Sequence, residues 1–167
     1  MKQQDHDSQI IKRRRAFTLL ELLIVLAVLA VVCWRVVPDL TRAAGDDREA
    51  RLVSALQLLR SQLDYYQQQH NGEYPCGSPA APVDATLFMR RLTVKTDMQH
   101  GPDGRYGPYL YAIPVNPFNQ KNTVRYISQG GQKGTNEAGW VFELQTGMIC
   151  PDDSQQTLDG TVPHCEY

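Results

Sequence analysis

Residues 12–38 read K-R-R-R-A-F-T-L-L-E-L-L-I-V-L-A-V-L-A-V-V-C-W-R-V-V-P, and the rest of the chain is read outward from them. Four basic residues, Lys12, Arg13, Arg14 and Arg15, stand before an apolar run from Phe17 to Val37 that only Thr18, Glu21 and Arg35 interrupt. As a helix this run reaches ~31 Å, against a bilayer core of ~30 Å. Arg35 lies near its far end, where a long side chain reaches the headgroups. Glu21 is the odd member. A carboxylate inside an apolar helix costs roughly 2.5–3.5 kcal/mol on insertion scales, so it calls for a partner. Pro38 has no N–H to donate and its ring crowds the carbonyl of Trp34, which predicts a kink in the helix there.

Other uses of an apolar N-terminal run fit less well. A secretory signal needs a small-residue cleavage site behind the run, and V-V-C-W-R-V-V-P after Ala30 lacks one. A lipoprotein reading of Cys33 meets Val32 where a small residue is required. A plain membrane anchor explains the apolar run and the basic flank but not Glu21. The whole stretch, R-R-R-A-F-T-L-L-E-L-L-I-V-L-A-V-L-A, resembles the N-terminus of type IV prepilins and type II secretion pseudopilins. The resemblance implies a cytoplasmic leader cut by a prepilin peptidase between Ala16 and Phe17, and N-methylation of Phe17. It also implies that Glu21 acts in assembly, that Pro38 kinks the helix, and that the apolar helix builds a filament core. The family usually has Gly where this chain has Ala16.

The chain has 167 residues, a length for about one domain beyond the N-terminal helix. Residues 1–16 carry a net +3, with Lys2, Lys12, Arg13, Arg14 and Arg15 against Asp5 and Asp7, while the remainder carries −4. A basic leader and an acidic body place the N-terminus in the cytoplasm and the body outside. No basic stripe suits nucleic acid, and none is expected as a partner.

Four regions follow: a leader over 1–16, a transmembrane and filament-core helix over 17–37, an amphipathic periplasmic helix over 38–75, and a loop-and-sheet body over 76–167. Leu52, Leu56, Leu59, Leu63 and Tyr66 recur at spacings of four and three, one face of a helix that Asn71-Gly72 ends. The segment L-L-R-S-Q-L-D-Y-Y-Q-Q-Q-H-N-G-E-Y-P, 58–75, resembles the helix end of the major, G-type pseudopilin. Ala85 to Leu92 reads as a short helix with Arg90 and Arg91 toward solvent. The prolines of 107–119 argue for an ordered loop. Strands are predicted at Thr123–Ser128, from Trp140, where Trp140, Phe142 and Leu144 alternate with Val141, Glu143 and Gln145, and at Met148–Cys150, with the last two forming a hairpin around Thr146-Gly147. Residues 151–167 read as a polar tail unless Cys165 ties it down.

Little in the body asks for chemistry. Gly130 to Thr135 lacks the G-x-x-x-x-G-K-[ST] spacing of a phosphate loop and reads as a connection between strands. Major pseudopilins often carry calcium in the loop of their C-terminal sheet, and calcium needs several oxygen ligands. The corresponding loop, Gly130 to Gly139, offers only Glu137 as a carboxylate, with Asp152 and Asp153 beyond the hairpin. No cofactor or metal is therefore expected, and calcium is the secondary reading. His164-Cys165 with Cys150 matches no familiar zinc spacing. His70 and His100, beside turns, read as solvated. Cys33 reads as a small apolar residue of the membrane helix. Of the three body cysteines, Cys150 and Cys165 close a loop short enough to bridge and form the candidate disulfide, with Cys76 as a competitor.

The fold expected is α+β: a long kinked N-terminal helix, its first half transmembrane, packed by its second half on a small C-terminal antiparallel sheet, as in pilins. The function expected is structural and not enzymatic: a subunit of a periplasmic pseudopilus of a type II secretion system. The resemblance implies as partners the chain itself in a helical filament, other pseudopilins, the prepilin peptidase, the inner-membrane assembly platform and an outer-membrane secretin. The location implied is the inner membrane, single-pass, with the body periplasmic. A surface pilin for adhesion, motility or DNA uptake, and a membrane-anchored binding module that never polymerises, are the alternatives.

Overall fold

The structure, a computed structural model, describes residues 18–167, with side chains described outside 35–44. The first element is α1, Leu19–Gln69, a 51-residue helix that continues through Pro38. Its start is capped by sequence. The Thr18 hydroxyl accepts from the Glu21 N–H at 3.2 Å, and the Leu22 N–H donates to the Thr18 carbonyl. T-x-x-E is the sequence of a capping box, and Glu21 lies in the first turn, where the helix dipole favours an acid. Its end follows the predicted stop. Asn71 (φ 54) and Gly72 (φ 86) enter the left-handed region, and the Gly72 N–H closes back on the Gln67 carbonyl at 2.9 Å. The chain divides into two units between Thr41 and Arg42.

In the first unit the described side chains run from Thr18 to Trp34, and every one of them is exposed. Leu22, Leu23, Ile24, Val25, Leu26, Val28, Leu29, Val31 and Val32 all stand open on every side of the helix. Among the described residues no helix is long and apolar enough to cross a membrane. The apolar run with described side chains, Leu19 to Trp34, accounts for ~24 Å of helix. Leader residues Lys12 to Arg15, the junction Ala16–Phe17, and Phe17 as methylation site lie outside the described residues. The side chain of Pro38 does too.

The second unit is built on the later part of α1. Leu52, Leu56, Leu59, Leu63 and Tyr66 are all buried, as their spacing predicts. They pack with Phe88 and Leu92 of α2, Ala85–Thr93, whose N-cap Asp84 accepts from the Leu87 N–H. Arg90 is exposed, but Arg91 is half-buried and donates to the Pro75 carbonyl. Two short strands precede α2: β1, Gly77–Ser78, and β2, Ala81–Pro82, an antiparallel pair.

The main sheet has three strands in the order β3, Val124–Ile127, β4, Trp140–Glu143, and β5, Ile149–Pro151. β4 and β5 form the predicted antiparallel hairpin, with Gly147 at φ 71 in its turn. β3 departs from the expected antiparallel sheet: it pairs with β4 in parallel, Val124 opposite Trp140 and Ile127 opposite Glu143. The segment between them is long enough to carry the chain back to the starting edge, as parallel pairing requires. All of β4 is buried, so its pattern is a continuous apolar run closed by Glu143, not an alternation. Glu143 is held by the Thr146 hydroxyl (2.5 Å) and the Gly130 N–H (3.1 Å). Those bonds draw its carboxyl below the usual value, the Thr146 hydroxyl contributing most.

Candidate functional site

The feature that stands out chemically is the exposed apolar face of α1 and its single acid. Sequence reasoning found Glu21 but missed Thr18, whose hydroxyl fixes the N–H of that same residue. The T-x-x-E spacing was the available signal. In the structure Glu21 is therefore both a first-turn acid and the only carboxylate on the apolar stretch 19–34.

The body presents three polar clusters. The first surrounds Tyr66. His70 is 1% exposed, not solvated. It stacks on Tyr66 at 3.8 Å between ring centroids. Its Nδ1–H donates to the Tyr66 carbonyl (2.9 Å), and its Nε2 accepts from the Thr96 hydroxyl (3.1 Å). Burial holds the imidazole below its ordinary value, and the Tyr66 carbonyl only partly offsets that. His100 bridges the Tyr66 hydroxyl and Glu73, each at 2.6 Å. Burial likewise pushes the Tyr66 phenol well up.

The second cluster ties down the C-terminal segment. Asp153 and His164 are buried and joined at 2.7 Å. Asn116, fully buried, donates to Asp153 (2.8 Å) and to the Gly139 carbonyl (3.0 Å), and accepts from the Phe118 N–H across the Asn116-Pro117-Phe118 turn. His164 opens a short 3-10 turn, His164–Glu166, packs on Phe118, and keeps its Nε2 without a partner among the described residues. Arg60 of α1 donates to the carbonyls of Ile149 and Tyr167. Residues 151–167 are thus part of the packed body, held by His164 and Arg60. Cys150 and Cys165 meet in one small apolar cluster with Ile127 and Val141, both as free thiols, and Cys76 is buried elsewhere. Burial pushes the Cys150 thiol up to about 11 and raises Cys165 as well.

The third cluster holds the 130–139 loop. Asp152, its side chain fully buried, receives Arg125 Nε and Nη2 at 2.7 and 2.6 Å. It also accepts from the Thr135 N–H, the Thr135 hydroxyl and the Ala138 N–H. Burial alone raises the carboxyl of Asp152, but the Arg125 fork and the two backbone N–H groups outweigh it and hold the group below its usual value. Arg125 Nη2 continues to the Gln132 carbonyl at 2.8 Å. Lys121 Nζ donates to the carbonyls of Asn136 and Glu137. Among the described residues no group of three or more His, Cys, Asp or Glu is placed to hold a metal ion.

Comparison with known proteins agrees with the helix and its acid. Residues 11–34 match the prokaryotic N-terminal methylation motif. The chain is 39% identical over 107 residues to type II secretion system core protein G of Dickeya chrysanthemi, covering 64% of this chain and 65% of that protein. It is 27% identical over 150 residues to the protein of the same name from Vibrio cholerae serotype O1, covering 90% and 88%. The Klebsiella pneumoniae protein of that name is 26% identical over 121 residues, covering 72% and 81%. The first alignment thus spans just under two thirds of the Dickeya protein. No solved structure matches the chain. The motif thus falls on the apolar, acid-bearing start of α1. Over most of its length the chain is similar to the type II secretion system core protein G relatives.

Proposed function

We propose that this chain is the structural subunit of a periplasmic pseudopilus and that it polymerises through α1. The observation that carries this reading is the Leu19–Trp34 segment, apolar on every face, exposed throughout, and bearing one carboxylate. A helix that is hydrophobic all round must be covered, either by lipid or by like helices. Both covers serve in turn. The span from Phe17 to Val37 holds the subunit in the inner membrane, N-terminus in the cytoplasm and body in the periplasm, and the same surface packs against copies of itself on assembly. Cleavage between Ala16 and Phe17 by a prepilin peptidase frees an α-amine that is then methylated. Other pseudopilins, an inner-membrane assembly platform and an outer-membrane secretin complete the machine. The role is mechanical and not catalytic.

Glu21 sets the register of assembly. The amine on Phe17 stands four residues before it, and a staggered neighbour brings its own amine to this carboxylate inside an apolar bundle, where an unpaired charge is costly. The competing use of Glu21 is as a first-turn cap on its own helix. Glu21→Gln separates the two, since it keeps size and polarity and removes the charge. Membrane insertion and body folding are expected to stay intact while filament yield and secretion fall. Normal filaments and normal secretion from the Gln variant would exclude the charge from assembly.

A further inference from the structure

The resemblance to major pseudopilins implies calcium in the loop between the strands of the C-terminal sheet, and the residues of this chain do not fit it. A calcium site here would need Asp152 and the loop carbonyls to turn their oxygens to one ion. Asp152 instead spends both oxygens on Arg125, Thr135 and Ala138. The carbonyls of Asn136 and Glu137 are already taken by the ammonium of Lys121. The Gln132 carbonyl goes to Arg125. The remaining carboxylate of the loop, Glu137, is 71% exposed and lies 3.7 Å from Arg125. Asp153 is committed to His164, Asn116 and the Gln155 N–H.

We propose that two side-chain cations, Lys121 and Arg125, do in this protein what a bound metal would do: they hold the 130–139 loop closed, and its order is independent of calcium. Arg125 reaches the loop from β3 and fixes its first half through Gln132 and, by way of Asp152, through Thr135. Lys121 comes from the turn before β3 and fixes the tip through Asn136 and Glu137. Asn119 and Asn116 complete the hold on the carbonyls of Ala138 and Gly139. A guanidinium and an ammonium are fixed charges at neutral pH, so the loop needs no ion from solution to satisfy its carbonyls. The inference concerns the body alone, and failure of filament assembly would leave it untouched.

Lys133 lies inside the loop and provides the readout. The full-length protein in detergent is digested with a lysine-specific endopeptidase, in excess calcium and in excess chelator, and cleavage after Lys133 is timed. The wild type is expected to be cut at the same slow rate in both. Lys121→Met removes one exposed ammonium without touching the core. Charged hydrogen bonds of ordinary strength correspond to about tenfold or more in the open population, and cleavage is expected to speed up by that factor. Lys121→Arg keeps the charge and is expected to stay slow. Two results would overturn the proposal: slower cleavage of the wild type with calcium, or an unchanged rate in Lys121→Met.

Discussion

Leu58 and Leu59 are adjacent in the sequence and lie on opposite sides of the boundary that α1 draws between core and surface. Leu59 is 0% exposed and Leu58 44%. Truncation of Leu59 to Ala removes three buried carbons, a transfer loss of ~2.4 kcal/mol at about 0.8 per methylene. A cavity contribution adds to it, because a helix backbone pinned by Leu56, Leu63 and Arg60 has little freedom to collapse inward. The expected loss is about 3–4 kcal/mol, a large share of the ~5–15 kcal/mol that holds an ordinary domain. Leu58→Ala leaves no cavity and is expected to cost about 1 kcal/mol or less. Both are measured by urea unfolding of the full chain in detergent, followed by Trp140 fluorescence in a Trp34→Phe background. Trp140 is fully buried and donates its indole N–H to the Pro114 carbonyl, so its emission reports the body. The midpoint for Leu59→Ala is expected to fall by about 1–2 M at unchanged slope. Equal losses at the two positions would refute the assignment of this helix face to the core.

The remaining expectations concern pH and thiols. His70 is held below its unfolded value, near 6.5, by burial, so the stability it contributes is complete above that pH and is lost as pH falls toward its folded value. The urea midpoint should therefore decline from about pH 7.5 to 5.5, and less steeply in His70→Asn; identical slopes would contradict a buried neutral imidazole. Asp152 is also depressed, so its contribution is present above about pH 3.9 and is lost only in stronger acid, a second decline that Asp152→Asn should remove. Cys150 and Cys165 share one cluster, and in an oxidising compartment they are expected to form a bond. Peptide mapping of periplasmic protein without reduction should yield the linked pair, and alkylation of both thiols in that material would exclude it.

What local pattern controls was legible in the sequence, and what depends on distant partners was not. The buried stripe from Leu52 to Tyr66, the stop at Asn71-Gly72, α2 and the β4–β5 hairpin each follow from neighbours within a few residues. The burial of His70 was within reach: it continues the same stripe four residues after Tyr66, but its place beside a turn suggested solvent. The parallel pairing of β3 was beyond reach, because no periodicity in 124–127 says which side of β4 it joins. The polar body showed least. Arg125 meets Asp152 across 27 residues, Asn116 meets Asp153 across 37, and Arg60 meets Tyr167 across 107. Such pairs leave no spacing signal, so 151–167 looked like a tail although three of its polar residues, Asp152, Asp153 and His164, are among the most buried in the chain. At the N-terminal helix the reverse holds. Its apolar run and its motif over 11–34 carry the reading, and the fold adds the Thr18 cap.

The N-terminus of the assembled protein tests the central claim most directly. Filament or membrane fractions are collected from cells that make the full chain, and the intact mass and N-terminal peptide are determined. A subunit processed and polymerised as proposed begins at Phe17, carries one methyl group on its α-amine, and lacks residues 1–16. Recovery of assembled protein that still begins at Met1, with Lys12 to Ala16 attached, would contradict it.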